Sequence, residues 1–197
     1  MTMFSSRYAL IALIALFGCG ETTEPVRFDT TAPVQPARIS ISLKSVAVRE
    51  VSLPTYATEE GIAVADGSGA ITSAPDRLWA DDPTRAVTLR LTNALADITG
   101  RLIASDPWPF QEDPEAVLEV RLETFVAQAS GQFVAQGRYY VAHQADGEED
   151  APKRKDRAIS FRLVEPFDPE GGFQSIAVAR TRIVSVLARD IAQRGLR

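Results

Sequence analysis

At 197 residues, 45% hydrophobic and 24% charged, the chain is long enough for one packed domain and too well mixed to be disordered throughout. Its net charge of −5 gives it no attraction for a polyanion, which excludes nucleic-acid binding. A single cysteine and a single histidine exclude an internal disulfide and any zinc or iron centre built on several such ligands.

The first predicted element is a segment to be removed. Arg7 is its only charge, residues 8–17 form an apolar run, and the small residue Gly18 follows. This is the layout of a secretory signal peptide. Ten such residues are too few to span a bilayer, which takes about 20. Cys19 comes next, and a cysteine at that place resembles the lipobox of bacterial lipoproteins. The resemblance implies that Cys19 becomes residue one and carries lipid on its sulfur and its amine. An unpaired cysteine in an exported chain oxidises or cross-links, and acylation consumes it. Phe17 departs from the lipobox preference for a small residue there. Gly20, where an aspartate would resemble the inner-membrane retention signal, favours the outer membrane. Cleavage before Cys19 removes Arg7 and leaves 179 residues at net charge −6.

Residues 19–37 are polar and hold three prolines, Pro25, Pro33 and Pro36, so they read as a lipidated N-terminus and flexible tether. A stretch of this length has an end-to-end distance of roughly 20–25 Å. The domain is expected over 38–197. It begins with alternation, Ile39, Ile41 and Leu43 facing one way and Ser40, Ser42 and Lys44 the other, which predicts a half-buried strand continuing toward Val46, Val48 and Val51. Residues 61–74 predict a hairpin, with Asp66-Gly67 supplying the positive φ of the turn. Asp82-Pro83 predicts a capped helix start, Val87, Leu91, Leu95 and Ile98 its apolar stripe, and Gly100 its end.

Three alternating runs follow. Leu118, Val120 and Leu122 mark the first strand, Phe133 to Val141 the second, and Ile159, Phe161 and Leu163 the third. Ser130-Gly131 joins the first pair and a tip at 146–156 the second. The pattern predicts an antiparallel meander with one covered face. A last helix spans about 174–194, with Ile176, Ile183, Val184, Leu187 and Ile191 as its stripe. The fold class is therefore α+β: a single domain with a mostly antiparallel or mixed β-sheet and two amphipathic helices packed on it.

The inventory of reactive groups is thin. His143 is the only histidine, lies near a strand end and shares the face of Phe133, Tyr139 and Val141, which reads as structural. No nucleophile-elbow segment accompanies it. Glu148-Glu149-Asp150 beside Lys153-Arg154-Lys155 reads as a solvated loop and lacks the ligand spacing of a calcium site. Gly67-Ser68-Gly69 is a turn and not a phosphate cradle. Two aromatic features remain as partner-binding candidates: Trp79, just before the first helix, and Trp108 with Phe110 in the proline-rich turn Pro107-Trp108-Pro109-Phe110. No catalytic residue, metal or cofactor is expected.

Several segments line up with one family. Val51-Ser52-Leu53-Pro54-Thr55-Tyr56, a hairpin, Arg77-Leu78-Trp79-Ala80-Asp81-Asp82-Pro83, a helix, a meander and a final helix follow the lipobox and tether in an order that resembles the ABC-type transport auxiliary lipoproteins of the PqiC type. The resemblance covers nearly the whole mature chain. It implies a non-enzymatic, periplasm-facing lipoprotein of the outer membrane that accompanies an MCE-domain protein and an ABC ATPase–permease pair in lipid movement between two membranes. It implies docking of the MCE component and admits a homo-oligomeric ring. Cys19 carries over as the lipid attachment site, while Leu53, Pro54, Tyr56 and Trp79 match the pattern as structural residues. The alternatives are another envelope-assembly lipoprotein, serving secretion, pili or polymers, and a small lipid-anchored hydrolase resting on His143.

Overall fold

The computed structural model describes residues 24–29, 37–144 and 155–197. The signal segment, Cys19, most of the tether and most of the tip at 146–156 lie outside the described residues. The described strands are β1 (Val26–Phe28), β2 (Ser45–Val48), β3 (Gly61–Ala65), β4 (Ile71–Trp79), β5 (Leu102–Ser105), β6 (Ala116–Gln128), β7 (Gln132–His143) and β8 (Arg157–Pro166). The helices are α1 (Thr55–Thr58), α2 (Pro83–Thr99) and α3 (Gly172–Asp190). No described helix is long and apolar enough to cross a membrane.

The architecture is α+β, as the periodicities predict. The meander is present: β6, β7 and β8 pair antiparallel in order. Its inner face, with Leu118, Val120, Phe133, Ala135, Tyr139 and Val141, is buried. Its outer face exposes Arg121, Glu123, Arg138, Ser160 and Arg162. The apolar stripes of α2 (Val87, Leu91, Leu95, Ile98) and α3 (Ile176, Ile183, Val184, Leu187) cover the inner face and are buried. Each such aliphatic side chain contributes about 1.5–3 kcal/mol on leaving water. Helix α2 starts as its sequence dictates: the Asp82 carboxylate accepts from the Arg85 N–H at 2.7 Å, Pro83 follows, and Gly100 closes the helix at φ 66°.

The sheet branches at β6, which the alternation does not reveal. On one edge β6 pairs with β7 throughout. On the other edge its first residues pair in parallel with β2 and its last with β3. One branch ends at β5 and the other runs through β4 to β1. Between them sits the segment 51–56. Ser52 bridges to Arg121, donating its N–H to Val120 O at 3.0 Å and accepting from the Leu122 N–H at 2.8 Å. A β-bulge between Leu122 and Thr124 then breaks the ladder to β7.

Several expectations change in detail. Residues 39–43 keep their alternation, Ile39, Ile41 and Leu43 being buried, but form no ladder. They lie against the end of α2, where the Ile39 N–H donates to Ile98 O at 2.7 Å, and the first ladder of this region starts at Ser45. In the β3–β4 hairpin the positive φ belongs to Gly69, at 90°, not to Gly67. The Asp66 carboxylate there accepts from the Ser68 and Ala70 N–H groups. Trp79, expected just before the first helix, is the last residue of β4. Val26–Phe28, inside the stretch read as tether, is a strand paired in parallel with Arg77–Trp79. Helix α3 begins at Gly172 and continues as a π-helical turn, Ile191–Gly195.

Candidate functional site

Charged and aromatic groups come together where β4, α2 and α3 meet. Trp79 ends β4 and is 6% exposed. Arg180 interrupts the apolar stripe of α3 and is 4% exposed. Its guanidinium carbon lies 4.1 Å from the Trp79 ring centroid and 5.8 Å from that of Phe125. Its Nη2 donates to Pro83 O, in the first turn of α2, at 3.1 Å. Burial lowers the Arg180 pKa to about 10, and the carboxylates of Asp81 and Asp82 oppose that shift. The group stays charged at neutral pH. A buried cation stacked on an indole and tied to a backbone carbonyl locks three elements together.

Beside this junction opens a cleft of about 280 Å³, lined among others by Phe28, Asp29, Trp79, Leu89, Arg90 and Arg180. Phe28 brings β1 to its rim, and the Phe28 and Phe173 ring centroids are 6.1 Å apart. The Arg77 guanidinium lies 6.0 Å from the same Phe173 ring.

The segment 51–56 has a structural task. The Val51 N–H donates to Thr88 Oγ1 of α2 at 2.9 Å. Pro54 leads into the single turn α1, whose Ala57 N–H donates to Pro54 O. This turn brings Tyr56 Oη to 3.1 Å from the Phe125 N, which donates to it just past the bulge. The motif thus supplies the partners that β6 lacks between its two neighbouring strands.

Trp108 and Phe110 come together in the loop after β5, with ring centroids 5.0 Å apart in an edge-to-face arrangement. Trp108 Nε1 donates to Glu112 O at 2.7 Å, which fixes the loop. Phe110 is 44% exposed. This pair belongs to the β5 branch and Trp79 to the β4 branch, so the three aromatic candidates do not form one surface.

His143 closes β7. Its N–H donates to Asp156 Oδ1 at 3.0 Å, and its ring Nδ1 lies 3.9 Å from the same oxygen. Tyr139, fully buried on the same strand, donates from Oη to Asp190 Oδ2 at 3.0 Å. Burial pushes the phenol pKa upward, and the Asp190 charge adds to that. On the outer face Glu119 joins Arg49 and Arg121. The hydrogen bond from Arg121 holds the Glu119 carboxyl below its usual range, and Arg121 lies 5.1 Å from the Tyr140 ring.

Arg180 is the residue that the sequence hides. Its only signal is a cation placed among the apolar positions of the last helix, between Ile176 and Ile183.

Comparison with known proteins gives a consistent result. The family model described as the ABC-type transport auxiliary lipoprotein component matches residues 28–192. Two crystal structures share the fold. One, of a protein described as uncharacterized, superposes with a TM-score of 0.62 at 16% identity, covering 85% of this chain and 98% of that one. The other, a DUF330 protein from Xanthomonas campestris, gives a TM-score of 0.61 at 13% identity, covering 87% and 94%. No curated protein matches the sequence.

Proposed function

Starting from the chain's membership of the ABC-type transport auxiliary lipoprotein family, we propose that it is a non-catalytic outer-membrane subunit of an ABC/MCE-type lipid transport system. In this reading Cys19 is the lipid attachment site and the domain faces the periplasm. The domain docks an MCE-domain protein served by an ABC ATPase–permease pair, supports membrane integrity and assembles with copies of itself. The observation that carries the reading is where the family motifs lie. Segment 51–56 and Trp79 are spent on closing the branched sheet and holding Arg180, so what they maintain is a scaffold. Three polar groups of the described domain make structural bonds of this kind: Arg180 with Trp79 and Pro83, Tyr139 with Asp190, and the backbone of His143 with Asp156.

Trp79 is enclosed, so partner contact is assigned to Trp108 and Phe110, of which Phe110 presents its ring to solvent. An exposed aromatic on a fixed loop loses little conformational freedom on binding, which suits a contact residue. The test is affinity purification of the intact, tagged lipoprotein from membranes. An MCE-domain protein recovered with it is the expected result. Its absence from a preparation that retains the anchored lipoprotein overturns the proposal.

A further inference from the structure

The tether is much shorter than its sequence indicates, because β1 returns it to the sheet. Val26, Arg27 and Phe28 pair in parallel with Arg77, Leu78 and Trp79. The Ala80 N–H donates to Phe28 O at 3.0 Å. Arg27 Nη1 donates to Trp79 O and to Glu60 Oε2, each at 3.1 Å. Phe28 packs toward Phe173 at the start of α3. The strand is therefore held by backbone, ion pair and ring contact together, at the outermost position of its branch.

Parallel pairing also fixes direction. β1 runs with β4, so the chain reaches Val26 from the side of β4 that leads back to the hairpin turn at 66–70. Glu24 and Pro25, the described residues before it, therefore lie on its hairpin side. Val26 stands seven positions after Cys19, a span of at most about 25 Å when fully extended. A tether free as far as residue 37 would reach about 65 Å. The other end of the domain, where Ala116 pairs with His143, lies about 26 Å further along β6 than the level of β1.

We infer that β1 is a clamp that fixes the orientation of the domain on the membrane. The hairpin flank faces the lipid surface, and the end carrying His143 and Gln144 faces away from it. The inference rests on acylation of Cys19. The anchor and the clamp provide the orientation, not adsorption. The described residues of that flank include Asp66, Asp76, Asp168 and Glu170 beside Arg77, an excess of acid that gains nothing from anionic lipid. The Trp108–Phe110 loop stands on the opposite branch, near the β2 level of β6.

The test uses the intact lipoprotein reconstituted in phosphatidylcholine vesicles that carry an acceptor dye on the lipid headgroup. A donor dye is attached at Ala70→Cys, beside the hairpin turn, or at Gln144→Cys. The mass of the mature N-terminus reports acylation of Cys19 separately. With Cys19 acylated, energy transfer is strong from position 70 and largely lost from position 144. Replacing Val26-Arg27-Phe28 with Gly-Ser-Gly, or Arg27→Glu alone where the triple change unfolds the domain, reduces that contrast. Equal transfer from the two positions, or stronger transfer from 144, overturns the clamp. An unmodified Cys19 thiol overturns the anchor reading on which it rests.

Discussion

The Trp79–Arg180 junction makes a quantitative prediction about what holds the three elements together. Trp79→Leu removes the indole from under a guanidinium that is 4% exposed and 4.1 Å from the ring centroid. Truncating a buried tryptophan to alanine costs about 3–5 kcal/mol, and leucine refills part of the space, which leaves about 2–3 kcal/mol. A desolvated cation–π contact adds about 2 kcal/mol. Arg180 cannot escape by losing its proton, because a pKa of about 10 keeps it charged at neutral pH. The single substitution is thus expected to cost about 4–5 kcal/mol.

In an Arg180→Met background the cation is gone, and Trp79→Leu is expected to cost only about 2–3 kcal/mol. Arg180→Met alone is expected to lie within about 1–2 kcal/mol of the parent. It loses the ring contact and the bond to Pro83 O but also relieves the burial of a charge. The assay is urea unfolding of a chain lacking residues 1–18 and carrying Cys19→Ser, with all four members of the cycle measured. At a slope of about 2 kcal/mol/M, the coupling appears as a shift of about 1 M in midpoint between backgrounds. A coupling below about 0.5 kcal/mol, the scatter expected of independent sites, would refute the reasoning.

Three further outcomes follow from other parts of the fold. Tyr56→Phe leaves the Phe125 N–H without its acceptor beside the bulge and should lower unfolding stability by about 1–3 kcal/mol, again read from urea midpoints. Tyr139→Phe tests linkage. The folded phenol has its pKa raised above the ordinary 10.0, so its contribution is complete below pH 10 and falls as pH rises beyond it. Thermal melts should show the parent losing stability above pH 10 more steeply than Tyr139→Phe, and equal slopes would contradict this. Phe110→Ser should change stability by no more than about 0.5 kcal/mol while reducing recovery of the MCE partner at least tenfold, and full recovery would remove the loop from the interface.

What the sequence made legible and what it did not follow one physical distinction. Elements that bury a continuous face announce themselves by period. The meander strands, each ten or more residues long, alternate over most of their length, and α2 declares its ends with Asp82, Pro83 and Gly100. Elements defined by a partner elsewhere do not. β1 and β5, three and four residues long, exist because β4 and β2 offer them backbone groups, and neither length can establish an alternation. Conversely, Ile39, Ile41 and Leu43 alternate as a strand does, yet the Ile39 amide bonds to the end of α2 and the Ile41 carbonyl to the Arg101 side chain rather than to a neighbouring strand. Arg180 escaped notice because a cation at helical spacing reads as solvated, and only the tertiary fold brings Trp79 over it.

The family motifs gain a physical meaning from the branch at β6. One strand edge shared by β2 and β3 leaves a gap where neither reaches, and buried backbone groups in that gap need other partners. Ser52 takes the carbonyl and amide beside Arg121, and Tyr56 takes the amide past the bulge. Leu53 packs on the core, and Pro54 turns the chain so that both contacts form. A leucine-proline-x-tyrosine segment at that place is thus a requirement of the topology and would serve any partner equally. It follows that the residues shared with the family specify the frame. Under the proposed function, choice of partner falls to segments that the frame only displays, such as the Trp108–Phe110 loop, and there Phe110→Ser should separate binding from folding.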